Sequence, residues 1–138
     1  MKLLIIVYFL VLVGCVQIKD DRGARIDKEQ FFGRWQLCSI ELESRTRNFN
    51  VCPEFVFYDN LTGILKAAMS ENQFDWNIEG DTMAIIFKDD FEVEILDLGR
   101  SNEFLIAIQK TSDLRLIQLV SANATYTLAR ITESHIAK

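Results

Sequence analysis

The chain is short of the residues that do chemistry and of those that break structure. Its 138 residues hold one histidine (His135), one proline (Pro53), six glycines and three cysteines. A single histidine near the C-terminus excludes the Ser-His-Asp and Cys-His arrangements that activate a nucleophile, and no G-x-S-x-G is present. The same scarcity argues against zinc, because a structural site needs four Cys or His ligands. Little proline and glycine, with no low-complexity tract or single-sign charge run, leaves little room for linkers. Basic charge is also deficient, 15 Lys and Arg against 20 Asp and Glu, giving a net charge of −5. That balance argues against nucleic acid as a partner and against an electrostatic grip on anionic membrane. Adjacent acids such as Asp89 and Asp90 fall in a predicted turn and read as a solvated loop. The expectation is therefore a non-catalytic protein with no cofactor and no metal.

Long apolar runs are nearly absent as well. The longest, Leu3 to Val13, spans roughly half of the twenty or so residues that a membrane-crossing helix needs. Lys2 before it and polar residues after it make it a secretory h-region. It ends in Leu12-Val13-Gly14-Cys15, which resembles the lipobox of bacterial lipoproteins. The resemblance implies cleavage before Cys15, acylation of its thiol and new amino group, and residence in the cell envelope as a lipid-anchored monomer. Two or three acyl chains, at about 0.8 kcal/mol per buried CH₂, hold a domain on a bilayer where one does not. Val16 follows the cysteine, where an inner-membrane retention signal would carry aspartate, so the outer membrane is favoured. Residues 17 to 21, "QIKDD", are similar to the lysine-plus-acidic signals of surface-exposed lipoproteins, and a solvated tether accounts for them equally.

Residues 1–14 are thus read as a signal peptide, 15–25 as the lipidated cysteine and a polar tether, 26–131 as one domain and 132–138 as a tail. With Cys15 assigned to lipid, Cys38 and Cys52 remain. Export makes a disulfide the default for such a pair, with two free thiols as the alternative. The loop closed would contribute about 3 kcal/mol by restricting the unfolded chain.

The rest of the chain alternates with a period of two. In "QFDWNI", Phe74, Trp76 and Ile78 share one face and Gln73, Asp75 and Asn77 the other, as in a half-buried strand. "FEVEI", from Phe91, repeats the pattern. Turn clusters such as "YDNLTG", "EGD", "LGRSN" and "SAN" recur at about ten-residue spacing, too close for intervening helices. Strands are predicted at 35–43, 54–58, 64–69, 73–78, 82–87, 91–98, 103–110, 114–120 and 124–131. Short links between consecutive strands favour an up-and-down antiparallel barrel of about eight strands over a two-sheet sandwich. The only helical signal is "DKEQFF", where Asp27 can cap a short turn that Gly33 ends.

"FFGRWQL", residues 31 to 37, resembles the G-x-W motif that follows a short helix and opens the first strand of lipocalins. "TYTLAR", residues 125 to 130, is similar to their last strand. "W-x-L-x-S-I" at 35 to 40 and the cysteine-proline at 52 and 53 are similar to small lipocalin-like domains of bacterial lipoproteins. The resemblance implies that Gly33 permits a tight entry, Trp35 plugs the closed end and Arg130 lies on its indole. It departs from longer lipocalins in having no segment for a helix after the barrel, and from fatty-acid binders in lacking an Arg-x-Tyr triplet.

Function is not fixed by such a barrel. One reading is a binding module that takes a small hydrophobic ligand, lined by Phe57, Phe74, Trp76, Met83, Phe104 and Tyr126. The other is a structural or protein-interaction lipoprotein in which these residues fill the core. Interior volume separates the two.

Overall fold

A computed structural model of the chain describes residues 26–89, 96–108 and 116–132. The segment assigned to export, Cys15, the tether, the end of the tail and the predicted strand residues 91–95 lie outside these.

Among the described residues a 3-10 helix, Lys28–Phe31, precedes nine strands. They are β1 (Gly33–Leu42), β2 (Arg45–Asn48), β3 (Glu54–Phe57), β4 (Thr62–Ala67), β5 (Ser70–Glu79), β6 (Thr82–Phe87), β7 (Ser101–Ile108), β8 (Leu116–Val120) and β9 (Ala124–Arg130). Every pairing is antiparallel, consecutive strands from β3 to β9 are neighbours, and β9 returns to β1. Eight strands, β1 and β3–β9, thereby close an up-and-down barrel, which removes the exposed edges of an open sheet. The fold is all-β, with one short helical turn among the described residues, as the alternation requires. Asp27 begins that turn with its backbone carbonyl, which accepts from Gln30 N at 3.0 Å, and not with its side chain.

β1 organises the wall. One edge pairs along its length with β9, while the other pairs first with β3 (Gly33 to Gln36) and then with β2 (Ser39 to Leu42). A bulge interrupts the β9 register between Leu37 and Ser39, leaving Cys38 as the extra residue. The inward set consequently changes phase, from Trp35 and Leu37 to Ile40, because one inserted residue reverses every later side chain. β2 was not anticipated: "RTRN" is largely exposed along its length and carries no apolar alternation.

The strand expected at 91–98 differs in its described part. β6 pairs directly with β7, Ile86 facing Ser101, and Leu96 and Asp97 lie in a turn before a one-residue bridge at Leu98. Leu96 and Leu98 are nevertheless buried, so in residues 96–98 apolar side chains pack a turn and a single bridge rather than a continuous ladder.

The core is apolar throughout the described residues, with no buried charged side chain. At Gly63, which faces Phe74 across β4 and β5, a Cβ would collide with the Phe74 ring and lie 2.6 Å from the Val56 carbonyl. Only glycine leaves that space to the Phe74 ring.

Candidate functional site

The two ends of the barrel differ. At one end Trp35 is fully buried, donates from Nε1 to the Phe31 carbonyl at 2.8 Å, and carries the Arg130 guanidinium 5.2 Å from its ring centre. Arg130 also donates from Nη2 to the Phe32 carbonyl at 2.6 Å, so it ties the last strand to the entry segment. Gly33, between them, has φ +114°, a conformation that side chains strongly disfavour. Lys28 Nζ, on the 3-10 helix, donates to Asn77 Oδ1 at 2.6 Å. The structure thus brings together the three closure residues Gly33, Trp35 and Arg130 at this end.

The six residues named as ligand-lining are also brought together, but as core. Phe57, Phe74, Trp76, Met83, Phe104 and Tyr126 are each at most 3 % exposed and belong to the apolar core. Their rings contact one another edge-on: Phe57 with Phe74 at 5.5 Å, Phe57 with Trp76 at 5.1 Å, and Phe104 with Tyr126 at 5.4 Å. Such geometry is favourable for aromatic pairs and fills the space an enclosed ligand would take.

The other end carries the β1–β2 and β4–β5 turns. There the Ala67–Ser70 turn, the Phe49–Pro53 approach to β3 and Leu96 enclose a cleft of about 410 Å³ lined mostly by apolar atoms. Val51 and Met69 project from its rim, 74 % and 102 % exposed. Ala68 adopts φ +49°, a left-handed conformation costly for a residue with a Cβ, and places Met69 at the hairpin tip. Leu96 belongs to both regions: it lines the cleft and is wholly buried in the core. The Tyr126 hydroxyl holds that segment, reaching the carbonyls of Leu96 at 2.9 Å and Asp97 at 3.1 Å. Burial, with the nearby Asp97 carboxylate second, pushes the Tyr126 hydroxyl up to about 12. A more polar hollow of about 360 Å³ lies at the same end, beside the Glu43–Ser44 turn, Arg45 and Asn123.

Cys38 and Cys52 are half-buried free thiols in this structure. Burial first, and Cys52 second, raise the Cys38 thiol. Among the described residues no three His, Cys, Asp or Glu side chains are gathered as metal ligands would be. Sequence reasoning missed the cleft because its walls are turn residues far apart in the chain.

No protein-family model matches the chain, and no curated protein matches it. Solved structures do. A lipocalin-like protein from Bacteroides uniformis superposes with a TM-score of 0.57 at 9 % identity, covering 74 % of this chain and 99 % of the other. An uncharacterized protein from Bacteroides eggerthii gives 0.57 at 10 % identity, over 73 % of this chain and 99 % of the other. LTBP1, in complex with LTC4, gives 0.50 at 14 % identity, over 91 % of this chain and 83 % of the other. At these identities the likeness establishes the fold: this is a lipocalin-like barrel.

Proposed function

We propose that the protein is a lipid-anchored, non-catalytic binding protein of the cell envelope that takes a small hydrophobic molecule at this end of its barrel, in the cleft. The observation that carries this reading is the apolar cleft. Its volume lies within the range of about 300–1,000 Å³ typical of small-molecule sites. Exposed Val51 and Met69 on its rim would be covered by an occupant, and Met is a side chain that adapts to irregular apolar shapes. LTBP1, which shares the fold, is solved as a complex with LTC4. The ligand here is proposed to sit at the mouth, above the packed interior.

Anchoring rests on the sequence. Cys15 follows an h-region too short to span, and acyl chains there would tether the barrel to the outer membrane. The packed interior favours one other reading, a protein-interaction lipoprotein whose exposed rim meets a partner.

Native mass spectrometry of the mature protein purified from its host tests the proposal. A co-purifying apolar molecule that is lost in Met69→Glu supports it. A clean apo mass, with no uptake of added apolar lipids, overturns it in favour of the interaction reading. Membrane fractionation after palmitate labelling reads the anchor, which Cys15→Ser should abolish.

A further inference from the structure

We propose that Cys38 and Cys52 form an intrachain disulfide that ties β1 to the start of β3 and holds the Phe49–Pro53 wall of the mouth cleft in place. The wall function rests on the cleft reading above, whereas bond formation does not.

The register places the two cysteines opposite each other. β1 and β3 pair from Gly33 with Phe57 to Gln36 with Glu54. The ladder continues one step further, because Leu37 N–H donates to the Pro53 carbonyl at 2.7 Å. The next step sets Cys38 against Cys52. Leu37 and Pro53 occupy a hydrogen-bonding position, with proline unable to return the second bond, so the cysteines fall in the adjacent non-hydrogen-bonded position. There Cα atoms lie about 4.5 Å apart, inside the span of about 4.4–6.8 Å that a disulfide bridges.

The surroundings favour the same link. β2 takes over this edge of β1 only from Ser39, opposite Asn48, so Cys38 stands at the junction where β1 changes partners. It is also the bulged residue on the β9 side. A covalent bond at this point would replace the ladder where strand pairing is interrupted. Each sulfur lies near a backbone carbonyl, Cys38 Sγ 3.6 Å from Gln36 O and Cys52 Sγ 3.8 Å from Phe49 O, contacts too weak to compete with a covalent bond. Burial and each other's proximity keep the Cys38 thiol protonated, which suits a structural pair better than a nucleophile. Cys52 stands between Val51 and Pro53, both lining the cleft, so the bond would end in the cleft wall.

The oxidant required is a disulfide, either glutathione disulfide or the disulfide of a thiol oxidoreductase. One cysteine thiolate attacks it and expels the first thiolate. The second cysteine, deprotonated, attacks the resulting mixed disulfide at the protein sulfur and expels the second. One bond forms between Cys38 and Cys52, and two electrons and two protons leave with the oxidant as two thiols.

The test is to equilibrate the folded full chain with glutathione disulfide, alkylate, and read intact and peptide masses. A linked peptide joining Cys38 to Cys52, two hydrogens lighter than the two separate thiol peptides, is expected, with Cys15 followed separately on its own peptide. Free thiols or separate glutathione adducts at both positions would overturn the bond. The apolar dye anilinonaphthalene sulfonate then reads the wall: reduction, Cys38→Ser or Cys52→Ser should each weaken dye binding about three- to tenfold, as order is lost from the wall. Equal dye affinity in oxidised and reduced protein overturns the wall function. Dye that binds neither form, with the linked peptide present, overturns the cleft reading and upholds the bond.

Discussion

Gly63 shows how one missing side chain shapes the core. The Phe74 ring occupies the space above it, and the Val56 carbonyl closes the other side. A ring can shift a little; a carbonyl committed to a strand cannot without disturbing β3. Gly63→Ala is therefore expected to destabilise the fold by about 1–3 kcal/mol, the usual cost of overpacking a tight core. Urea denaturation measures it as a lower midpoint at unchanged slope. Gly33 is constrained differently, by its φ of +114° and not by crowding, since the nearest atom to a Cβ there would be Arg130 Nη2 at 3.9 Å.

Elements explain which parts of the fold were legible. "QFDWNI" reads correctly as half of β5 because Phe74, Trp76 and Ile78 do face inward, and the G-x-W entry and terminal arginine do meet at one end of the barrel. β2 leaves no hydrophobic signal, for it extends β1 without covering core. The bulge at Cys38 breaks a period-two pattern that no local residue forecasts. The β4–β5 turn, "AAMS", has none of the glycine or asparagine that marks tight hairpins, and Ala68 accepts the left-handed conformation instead. At 96–98, the described end of the strand expected at 91–98, Leu96 and Leu98 are buried without belonging to a continuous strand, so apolar content there does not mark a ladder.

In that segment the carbonyls of Leu96 and Asp97 face the Tyr126 hydroxyl, which gives it a pH signature. Tyr126 ionises at about 12 in the folded chain, above the ordinary value of 10.0, because burial disfavours the phenolate. The folded state holds this proton more tightly than the unfolded one, so the contribution is fully present below pH 10 and is lost as pH rises through about 12. Tyr126→Phe is expected to cost about 1 kcal/mol at neutral pH through the lost hydrogen bond. It should also remove this alkaline component, read from stability and tyrosinate absorbance across pH 9 to 12.

The whole molecule separates stability from the proposed recognition. Its interior is aromatic and packed, one end is pinned by Trp35 and Arg130, and its apolar cleft lies at the mouth. Leu96 is the boundary, with one side in the core and the other toward the cleft. Two substitutions should therefore have opposite effects. Phe74→Ala hollows the core and is expected to cost about 3–5 kcal/mol, a large part of a domain's stability, while leaving apolar ligand uptake within severalfold of the parent wherever the variant remains folded. Met69→Glu, at a fully exposed hairpin tip, is expected to change stability by less than about 0.5 kcal/mol and to abolish uptake by placing a carboxylate at the cleft. Urea titration and native mass spectrometry of both variants make the comparison. Loss of uptake in folded Phe74→Ala, with Met69→Glu still binding, would move the site from the mouth into the barrel and require the aromatic core to open for its ligand.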